Sequence, residues 1–473
     1  MATDSPQTAR ISIYSELLRN IRQVSVAATL PSPSNSATTR AAITADGRAI
    51  RVSHSCGIST SDVELGLPAP VQIGPVPSAT SSSAAGDGGV GLGGVQRPPV
   101  QILPVRSGVT TLTWRLPIGA GQGAILASAR AVAGHEDDSA VPWPASDLRA
   151  GEPVRCRACG AVLVSVRAIE MWKDLPSENW AEMMEFWHCH KPGEEGHGHA
   201  HGHGREGHGQ KTEERSSRDD ADPAKTNGGS NAKSLGSRGY GANSTIIAQQ
   251  GIGFVDVMSF LLSEADCKGI LYSLASGVMS SRPGDLMEKE DGLKPFSTRL
   301  SCASCAAQLG YYNYRNAAVT LFKWQVSFAA TGSRQPSVPE CLSATLIATI
   351  FRTGCSKSIL VPVLDANPTS TQQAALLHLW VLNSNLHYTS SDDPDSSGGK
   401  ALPALKVLYR TVPRQEADAL LDAVTSDVQE VNLPVAAIMA TQTALEAGNA
   451  LLPPTERVFR GWNVGLLRRW EAT

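Results

Sequence analysis

Residues 9–30 alternate apolar and polar side chains in two short runs that are interrupted at Arg19-Asn20. A repeat of two residues is typical of a strand with one buried face, so the pattern predicts two successive β-strands rather than one helix. Runs of the same kind, separated by turn-forming residues, predict further strands at Ala49–Ser53, Val63–Leu67, Gln101–Val105 and Val109–Leu116. This part of the chain therefore predicts a β-meander that wraps a sandwich or barrel.

The second half of the chain mixes strand and helix patterns. Ala318–Phe328 is rich in β-branched and aromatic residues and predicts one strong strand. Ala344–Thr353 and Leu376–Leu386 are apolar runs whose periodicity fits either a helix or a buried strand. The patterns nearest the C-terminus predict, in chain order, a strand at Lys406–Arg410, helices at Gln415–Val424 and Pro434–Ala447, and a last strand at Phe459–Leu467. The predicted fold class is mainly β with some α.

Two segments have the composition of disordered chain. Residues 76–99 are rich in serine and glycine, and residues 191–242 carry alternating glycine and histidine followed by a polar tract of mixed charge. We expect a flexible loop and a disordered insertion, which leave a β-rich N-terminal lobe over 1–190 and a C-terminal lobe over 243–473. A polar tract offers no packed surroundings to orient metal ligands, so we assign no specific site to these histidines.

Composition narrows the classes of function. The net charge of -3 and the absence of a basic cluster argue against a nucleic-acid or acidic-membrane surface. No run approaches the roughly 18 apolar residues that span a membrane, and the N-terminus lacks a secretory pattern, so we expect a cytoplasmic or nuclear protein. Nine cysteines, an odd number, favour reduced thiols or metal ligands over disulfides.

Two C-x-x-C pairs stand out, Cys156-Arg-Ala-Cys159 and Cys302-Ala-Ser-Cys305. A C-x-x-C turn presents two thiolates from one tight loop, and two such turns supply the four soft ligands that tetrahedral zinc prefers. We therefore predict that the four cysteines share one structural zinc ion that joins the two lobes. The sequence contains no H-E-x-x-H or H-x-E…P-C-x-x-C pattern, so we do not expect a catalytic zinc.

Spacing alone also permits a second grouping of ligands. The segment Ser177–Trp187 has a capping serine and apolar residues at helical spacing, and it continues into His188-Cys189-His190. Cys189, with His188 or His190, could complete a site with the first C-x-x-C pair. Alternatively, Cys189 could act as a nucleophile, although a helix C-terminus disfavours the thiolate.

The chain resembles the HECT-like ubiquitin-conjugating-enzyme-binding family in the order of its motifs. These motifs are the first C-x-x-C, Leu-Pro-Ser-Glu-Asn-Trp with Trp-His-Cys-His, Gly-x-x-Phe-Val-Asp, the second C-x-x-C, Leu-Phe-Lys-Trp, and Phe-Arg-Gly-Trp-Asn-Val-Gly-Leu-Leu. Leu-Pro-Ser-Glu-Asn-Trp is the most specific of them. The insertion after His190 and the loop near residue 85 depart from the compact family pattern without touching a motif.

The resemblance implies a protein that binds a ubiquitin-conjugating enzyme (E2) and has ubiquitin-ligase activity, with Cys189 as the matching position for a thioester acceptor. It also implies a link to the endonuclease subunit of pre-mRNA 3′-end processing. HECT ligases carry their acceptor cysteine in a C-terminal lobe, whereas this chain has no cysteine after residue 400. A non-catalytic chaperone or adaptor for one client is therefore the alternative to a ligase, and a zinc-ribbon nucleic-acid binder ranks last.

Overall fold

Contacts divide the chain into two units, one made of Met1–Asp174 with Ala248–Thr473 and the other of Leu175–Ile247. Of the residues that the computed structural model describes, all but Leu175 and Ile247 belong to the first unit. The described residues are 10–57, 59–73, 101–119, 141–175, 247–274, 278–287, 297–314, 317–328, 334–363, 376–423 and 426–471. The predicted loop at 76–99 and the predicted insertion at 191–242 lie outside them.

The described residues of the N-terminal part form seven strands. They are β1 (Ser12–Leu18), β2 (Gln23–Thr29), β3 (Thr39–Ile43), β4 (Ala49–Cys56), β5 (Ser59–Gly66), β6 (Gln101–Leu103) and β7 (Thr111–Pro117). A 3₁₀ turn at Arg19–Ile21 separates β1 from β2, which confirms the predicted break. The order β5-β4-β3-β6 forms one sheet, whereas β1, β2 and β7 join a larger sheet, and apolar residues from both sets form one core. The meander prediction missed only β3.

The middle of the chain forms two further sheets. Its elements are β8 (Val154–Cys156), β9 (Val162–Val164), β10 (Met171–Asp174), β11 (Ile252–Val255), β12 (Ser259–Ser263), β13 (Ile270–Ser273), β14 (Met279–Ser280), α1 (Gly284–Met287), β15 (Ser297–Cys302), β16 (Gln308–Asn313), β17 (Ala318–Phe322) and β18 (Val326–Phe328). An eight-stranded sheet has the order β10-β11-β12-β17-β16-β15-β13-β14, and a small sheet has the order β18-β8-β9. Both sheets contribute to one aromatic-rich core.

The prediction of a single strand over Ala318–Phe328 is wrong. A 3₁₀ turn at Lys323–Gln325 ends β17, and β18 leaves the eight-stranded sheet to pair with β8. The Lys323 side chain is fully buried, and its ammonium donates a 2.6 Å hydrogen bond to the carbonyl oxygen of Pro142. Burial lowers the pKa of Lys323 to about 8, because charge is disfavoured away from water. The turn thus places the Lys323 ammonium at the carbonyl oxygen of Pro142, an acceptor that does not belong to a neighbouring strand of the sheet.

The C-terminal part contains most of the helical residues that the structure describes. Its elements are α2 (Val338–Thr353), β19 (Lys357–Pro362), β20 (Leu376–Ser390), β21 (Leu402–Val412), α3 (Arg414–Leu421), β22 (Val428–Leu433), α4 (Val435–Leu451), β23 (Val458–Phe459) and β24 (Trp462–Arg468). The strands extend the larger N-terminal sheet to the order β23-β24-β21-β20-β1-β2-β7, with β19 beside β20 and β22 beside β19. Buried residues of α2 and α4 pack on one face of this sheet.

The structure resolves the two ambiguous apolar runs. The first is part of helix α2, which begins at a capping box formed by Ser337 and Glu340 and ends at Gly354, where φ is 72°. The second is part of strand β20. The helices at the C-terminus are confirmed as α3 and α4, and the last predicted strand is divided into β23 and β24 by a two-residue turn.

The chain is mainly β with four α-helices among its described residues, as predicted. Strands from both sides of the Leu175–Ile247 unit share sheets, because β1 pairs with β20 and β8 pairs with β18. The division into lobes at residues 190 and 243 stays a prediction. No helix in the described ranges is long and apolar enough to cross a membrane.

Candidate metal centre

The first C-x-x-C pair forms a tight loop between β8 and β9. Cys156 is the last residue of β8, and its backbone N–H donates to the carbonyl oxygen of Ala161 at 2.8 Å. The N–H of Gly160 donates back to the carbonyl oxygen of Cys156 at 2.8 Å, and φ of Gly160 is 75°. A positive φ is readily adopted by glycine, so the Cys-x-x-Cys-Gly sequence fits this turn.

The second pair repeats the same loop between β15 and β16. The N–H of Cys302 donates to the carbonyl oxygen of Ala307 at 2.9 Å, and the N–H of Ala306 donates back to Cys302 at 2.8 Å. The residue after the second cysteine again has a positive φ, 58°, but it is an alanine. The two loops thus share one hydrogen-bond scheme, and Ala306 takes a conformation that an L-residue adopts at a cost.

The four sulfur atoms converge on one point. The Sγ atoms of Cys156 and Cys305 are 3.7 Å apart, as are those of Cys159 and Cys302, and all four lie within 4.8 Å of one another. Four sulfurs at about 2.3 Å from a tetrahedral zinc would be about 3.8 Å apart. A disulfide requires about 2.05 Å, and all four cysteines are free thiols. The donor set therefore fits a metal ion.

Backbone amides point at the first sulfur of each loop. Cys156 accepts from the N–H groups of Ala158 and Cys159, and Cys302 accepts from those of Ser304 and Cys305. Burial nevertheless raises the pKa of Cys156 to about 12. Burial also acts to raise the pKa of Cys302, but the amide groups and neighbouring thiols outweigh it and lower that pKa to about 7. The amides stabilise thiolate charge, which a metal requires of its ligands.

The centre is buried on one side and open on the other. Cys156 and Cys302 are fully buried in the aromatic-rich core, whereas Cys159 and Cys305 are exposed. The N–H of Ala303 also donates to the carbonyl oxygen of Gly269 at 2.9 Å, and Lys268 donates to Leu163 at 2.8 Å. Of these two bonds, the one from Lys268 to Leu163 in β9 joins the eight-stranded sheet to the small sheet, so a metal ion here would fasten the two sheets.

Arg157, between the first two cysteines, extends the contacts to a helix. Its Nη1 atom donates to the carbonyl oxygens of Trp324 at 3.3 Å and Pro336 at 2.7 Å. Trp324 lies in the turn between β17 and β18, and Pro336 directly precedes the cap of α2. Arg157 is not among the predicted site residues, and only its position inside the C-x-x-C motif could have drawn attention to it.

The structure thus brings together Cys156, Cys159, Cys302 and Cys305. The alternative ligands and the candidate nucleophile, His188, Cys189 and His190, lie outside the described residues, as does the predicted helix Ser177–Trp187. The role of Cys189 therefore stays a prediction.

The chain belongs to the HECT-like ubiquitin-conjugating enzyme (E2)-binding family, whose sequence pattern matches residues 16–464.

Two fungal relatives match over short segments. One segment of 60 residues is 42% identical to an uncharacterized protein of Schizosaccharomyces pombe, covering 12% of this chain and 17% of that protein. Another of 52 residues is 36% identical to an uncharacterized protein of Saccharomyces cerevisiae, covering 11% of this chain and 15% of that protein. The matches thus span less than a fifth of either relative. No solved structure matches this chain.

Proposed function

We propose that this protein binds an E2 and promotes the transfer of ubiquitin, on a scaffold held together by a structural zinc ion. The observation that carries the proposal is the family match, which covers residues 16–464 and therefore includes both cysteine loops and the C-terminal sheet. The E2 supplies the activated ubiquitin, and this chain would position it.

Zinc is the metal that best suits the four-cysteine centre. Thiolates are soft ligands that favour zinc over magnesium or calcium, and the sulfur spacing of 3.7 Å agrees with tetrahedral coordination. Four protein ligands leave no coordination position for a water or a substrate, so the ion would be structural. It would stabilise the junction of the two sheets.

A covalent route would use Cys189 as the thioester acceptor. Among the described cysteines outside the centre, burial raises the pKa of Cys341 to about 12 and raises the pKa of Cys267, so neither is a good nucleophile. Cys355 follows the C-terminus of α2, and its thiol donates to the carbonyl oxygen of Thr353. Cys56 is exposed at the turn between β4 and β5. Cys189 is the candidate that the resemblance favours.

The alternative is a non-catalytic adaptor or chaperone that binds one client. It is favoured by the raised pKa values of the Cys267 and Cys341 thiols, which make both of these described cysteines poor nucleophiles. The endonuclease subunit of pre-mRNA 3′-end processing is the proposed client, and the cytoplasm or nucleus is the proposed location; both rest on the resemblance alone.

The experiment that tests the proposal is single-turnover discharge of a panel of ubiquitin-charged E2 enzymes onto the full chain. We expect at least one E2 to bind, and a reducible ubiquitin adduct to form on the wild type and on Cys56→Ser but not on Cys189→Ser. Binding without any adduct would support the adaptor function. If no E2 binds, the proposed function is wrong.

A further inference from the structure

A polar cleft of about 410 Å³ lies where the chain enters β10 and β11. Its walls come from the loop after β9, from the residues just before β10 and β11, and from the 3₁₀ turn Glu264–Asp266 after β12. The residues that give it charge and polarity are Arg167, Glu170, Gln250, Gly251 and Asp266. The N–H of Glu170 donates to the carbonyl oxygen of Gly251 at 2.7 Å, which fixes two of these walls to each other. We call this site the acidic cleft.

Asp266 contributes a carboxylate that is nearly buried and only half paired. The residue is 7% exposed, and its Oδ2 atom accepts a hydrogen bond from the N–H of Gly251 at 2.8 Å. No donor to its second oxygen, Oδ1, is present in the described part of the chain. A carboxylate away from water is costly unless donors or cations surround it, so this oxygen at the wall of an open cleft indicates a missing donor.

Glu170 places a second negative charge beside the first. A Cβ atom added to Gly251 would lie 3.6 Å from Glu170 Cδ and 3.8 Å from its Oε2, so both carboxylates lie next to this glycine. Burial raises the pKa of Asp266, the Gly251 N–H acts to lower it, and the charge of Glu170 raises it further. No cation among the described residues offsets this repulsion, since Arg167 makes no ion pair with either acid. The empty cleft therefore favours a positively charged occupant.

Exposed apolar side chains adjoin the cleft residues in the chain. Val166 is 63% exposed and precedes Arg167, and Met171 is 51% exposed and follows Glu170. Met171 begins β10, the last strand of the eight-stranded sheet, and the next residue, Trp172, points into the core. A charged cleft with large apolar residues at its border is typical of a surface that binds protein rather than a small cation.

We propose that the acidic cleft docks a basic side chain of a partner protein, with the apolar neighbours of that side chain packed on Val166 and Met171. The ammonium or guanidinium group would donate to Asp266 Oδ1 and to a carboxylate oxygen of Glu170. It would supply both the missing donor and the missing positive charge. This contact goes beyond the proposed function and does not depend on it.

The ligand set favours a basic side chain over a divalent metal ion. Calcium takes about six to eight oxygen ligands, whereas the side chains of this cleft supply two carboxylates and the amide oxygen of Gln250. Among the described residues, the four cysteines form the one group of three or more metal ligands that lie close together. An ammonium group has three donors and a guanidinium five, so two carboxylates suffice to hold either.

The test is selection of phage-displayed heptapeptides on the full-length protein, followed by titration of the resynthesised peptides. We expect the selected peptides to combine Lys or Arg with an apolar neighbour, and to bind at least about tenfold more weakly when the basic residue is replaced by glutamine. Glu170→Gln should weaken binding by about tenfold, because it removes one of the two charges. The same variant should raise the denaturation midpoint of the free protein, because the repulsion from Asp266 is lost. A glutamate with a purely structural role would not combine lower affinity with higher stability.

The cleft offers its own matched control in Arg167→Gln. This change removes a charge from the same wall but keeps both acids, so peptide affinity should stay the same or increase; an anionic occupant would instead be lost. Glu430→Gln, at an exposed position of β22, should leave affinity unchanged. Asp266→Asn keeps an acceptor for the Gly251 N–H and should weaken binding as Glu170→Gln does.

Failure to select any peptide, selection of peptides without a basic residue, or equal binding by Glu170→Gln would overturn the proposal. Binding of calcium chloride that Glu170→Gln abolishes would assign the cleft to a divalent cation instead. A dimer that this variant abolishes would assign it to a second copy of the chain. Because no E2 is used, the outcome is separate from the test of E2 binding.

Discussion

In the four-cysteine centre, each buried sulfur accepts backbone N–H groups and lies 3.7 Å from a sulfur of the other loop. Where β20 pairs with β21, by contrast, the buried nitrogens of His378 and the Nε of Arg410 have no partner among the described residues. The first region is complete once a metal is bound, whereas the second encloses a neutral imidazole, whose pKa burial lowers to about 4. The difference predicts that substitutions in the centre will cause a large loss of stability, and that substitution of His378 will change mainly how stability depends on pH.

The largest effect is expected from the double substitution Cys302→Ser with Cys305→Ser. It removes half of the donor set, and structural zinc contributes on the order of 10 kcal/mol to folding in small zinc domains. We expect loss of bound zinc and of cooperative thermal unfolding, measured by metal analysis and circular dichroism. Cys56→Ser, at an exposed hairpin turn, is the control. A double variant that melts like the wild type would contradict the role of the centre.

A smaller loss is expected from Arg157→Ala. It leaves the carbonyl oxygens of Trp324 and Pro336 without their donor, which costs about 2–3 kcal/mol for charge-assisted bonds. Chemical denaturation measures the change in the free energy of unfolding. Arg155→Ala is the matched control, because Arg155 makes one exposed bond, 3.2 Å long, to the carbonyl oxygen of Gly160. Equal losses in the two variants would show that Arg157 does not join the centre to α2.

The two cysteine loops differ at the residue after the second cysteine, which is Gly160 in one loop and Ala306 in the other. Substitutions at these two positions test whether the loops are equivalent. Ala306→Gly should stabilise the protein by about 1 kcal/mol, because φ of 58° strains an alanine, and Gly160→Ala should destabilise it by a similar amount. A Cβ at Gly160 meets no atom within 4 Å, so that change tests the backbone conformation alone. Denaturation midpoints with zinc present measure both. Changes of the same sign would show that the loops are not equivalent.

The smallest effect near neutral pH is expected from His378→Phe. The folded protein holds His378 neutral with a pKa of about 4, below the ordinary value near 6.5, so the unfolded state binds more protons between these values. His378 therefore makes stability fall as pH decreases from about 6.5 to 4. The difference between wild type and variant, followed by denaturation across this range, should show that slope. An unchanged difference would mean that the imidazole is not enclosed.

Several elements could be predicted because their side-chain pattern matches the local structure. The break at Arg19-Asn20, the strands around it and the helices α3 and α4 follow from local periodicity. The single strand predicted for Ala318–Phe328 was wrong, because a 3₁₀ turn at Lys323–Gln325 divides it. Strand propensity is a local property and does not reveal the hydrogen bond between buried Lys323 and the distant Pro142 carbonyl oxygen. Ala344–Thr353 and Leu376–Leu386 stayed ambiguous because apolar residues also stand at exposed positions in them, such as Phe351 and Leu382, which blurs the periodic signal.

The sequence by itself determined the two C-x-x-C loops, because five consecutive residues fix each turn and the residue types fix its chemistry. It also determined the family, through the order of its motifs. Only the tertiary structure decided that four sulfurs separated by more than a hundred residues meet within 4.8 Å. Likewise, His378, Arg410 and Trp462 become neighbours only through the pairing of three strands, because cross-strand register depends on how the whole sheet packs.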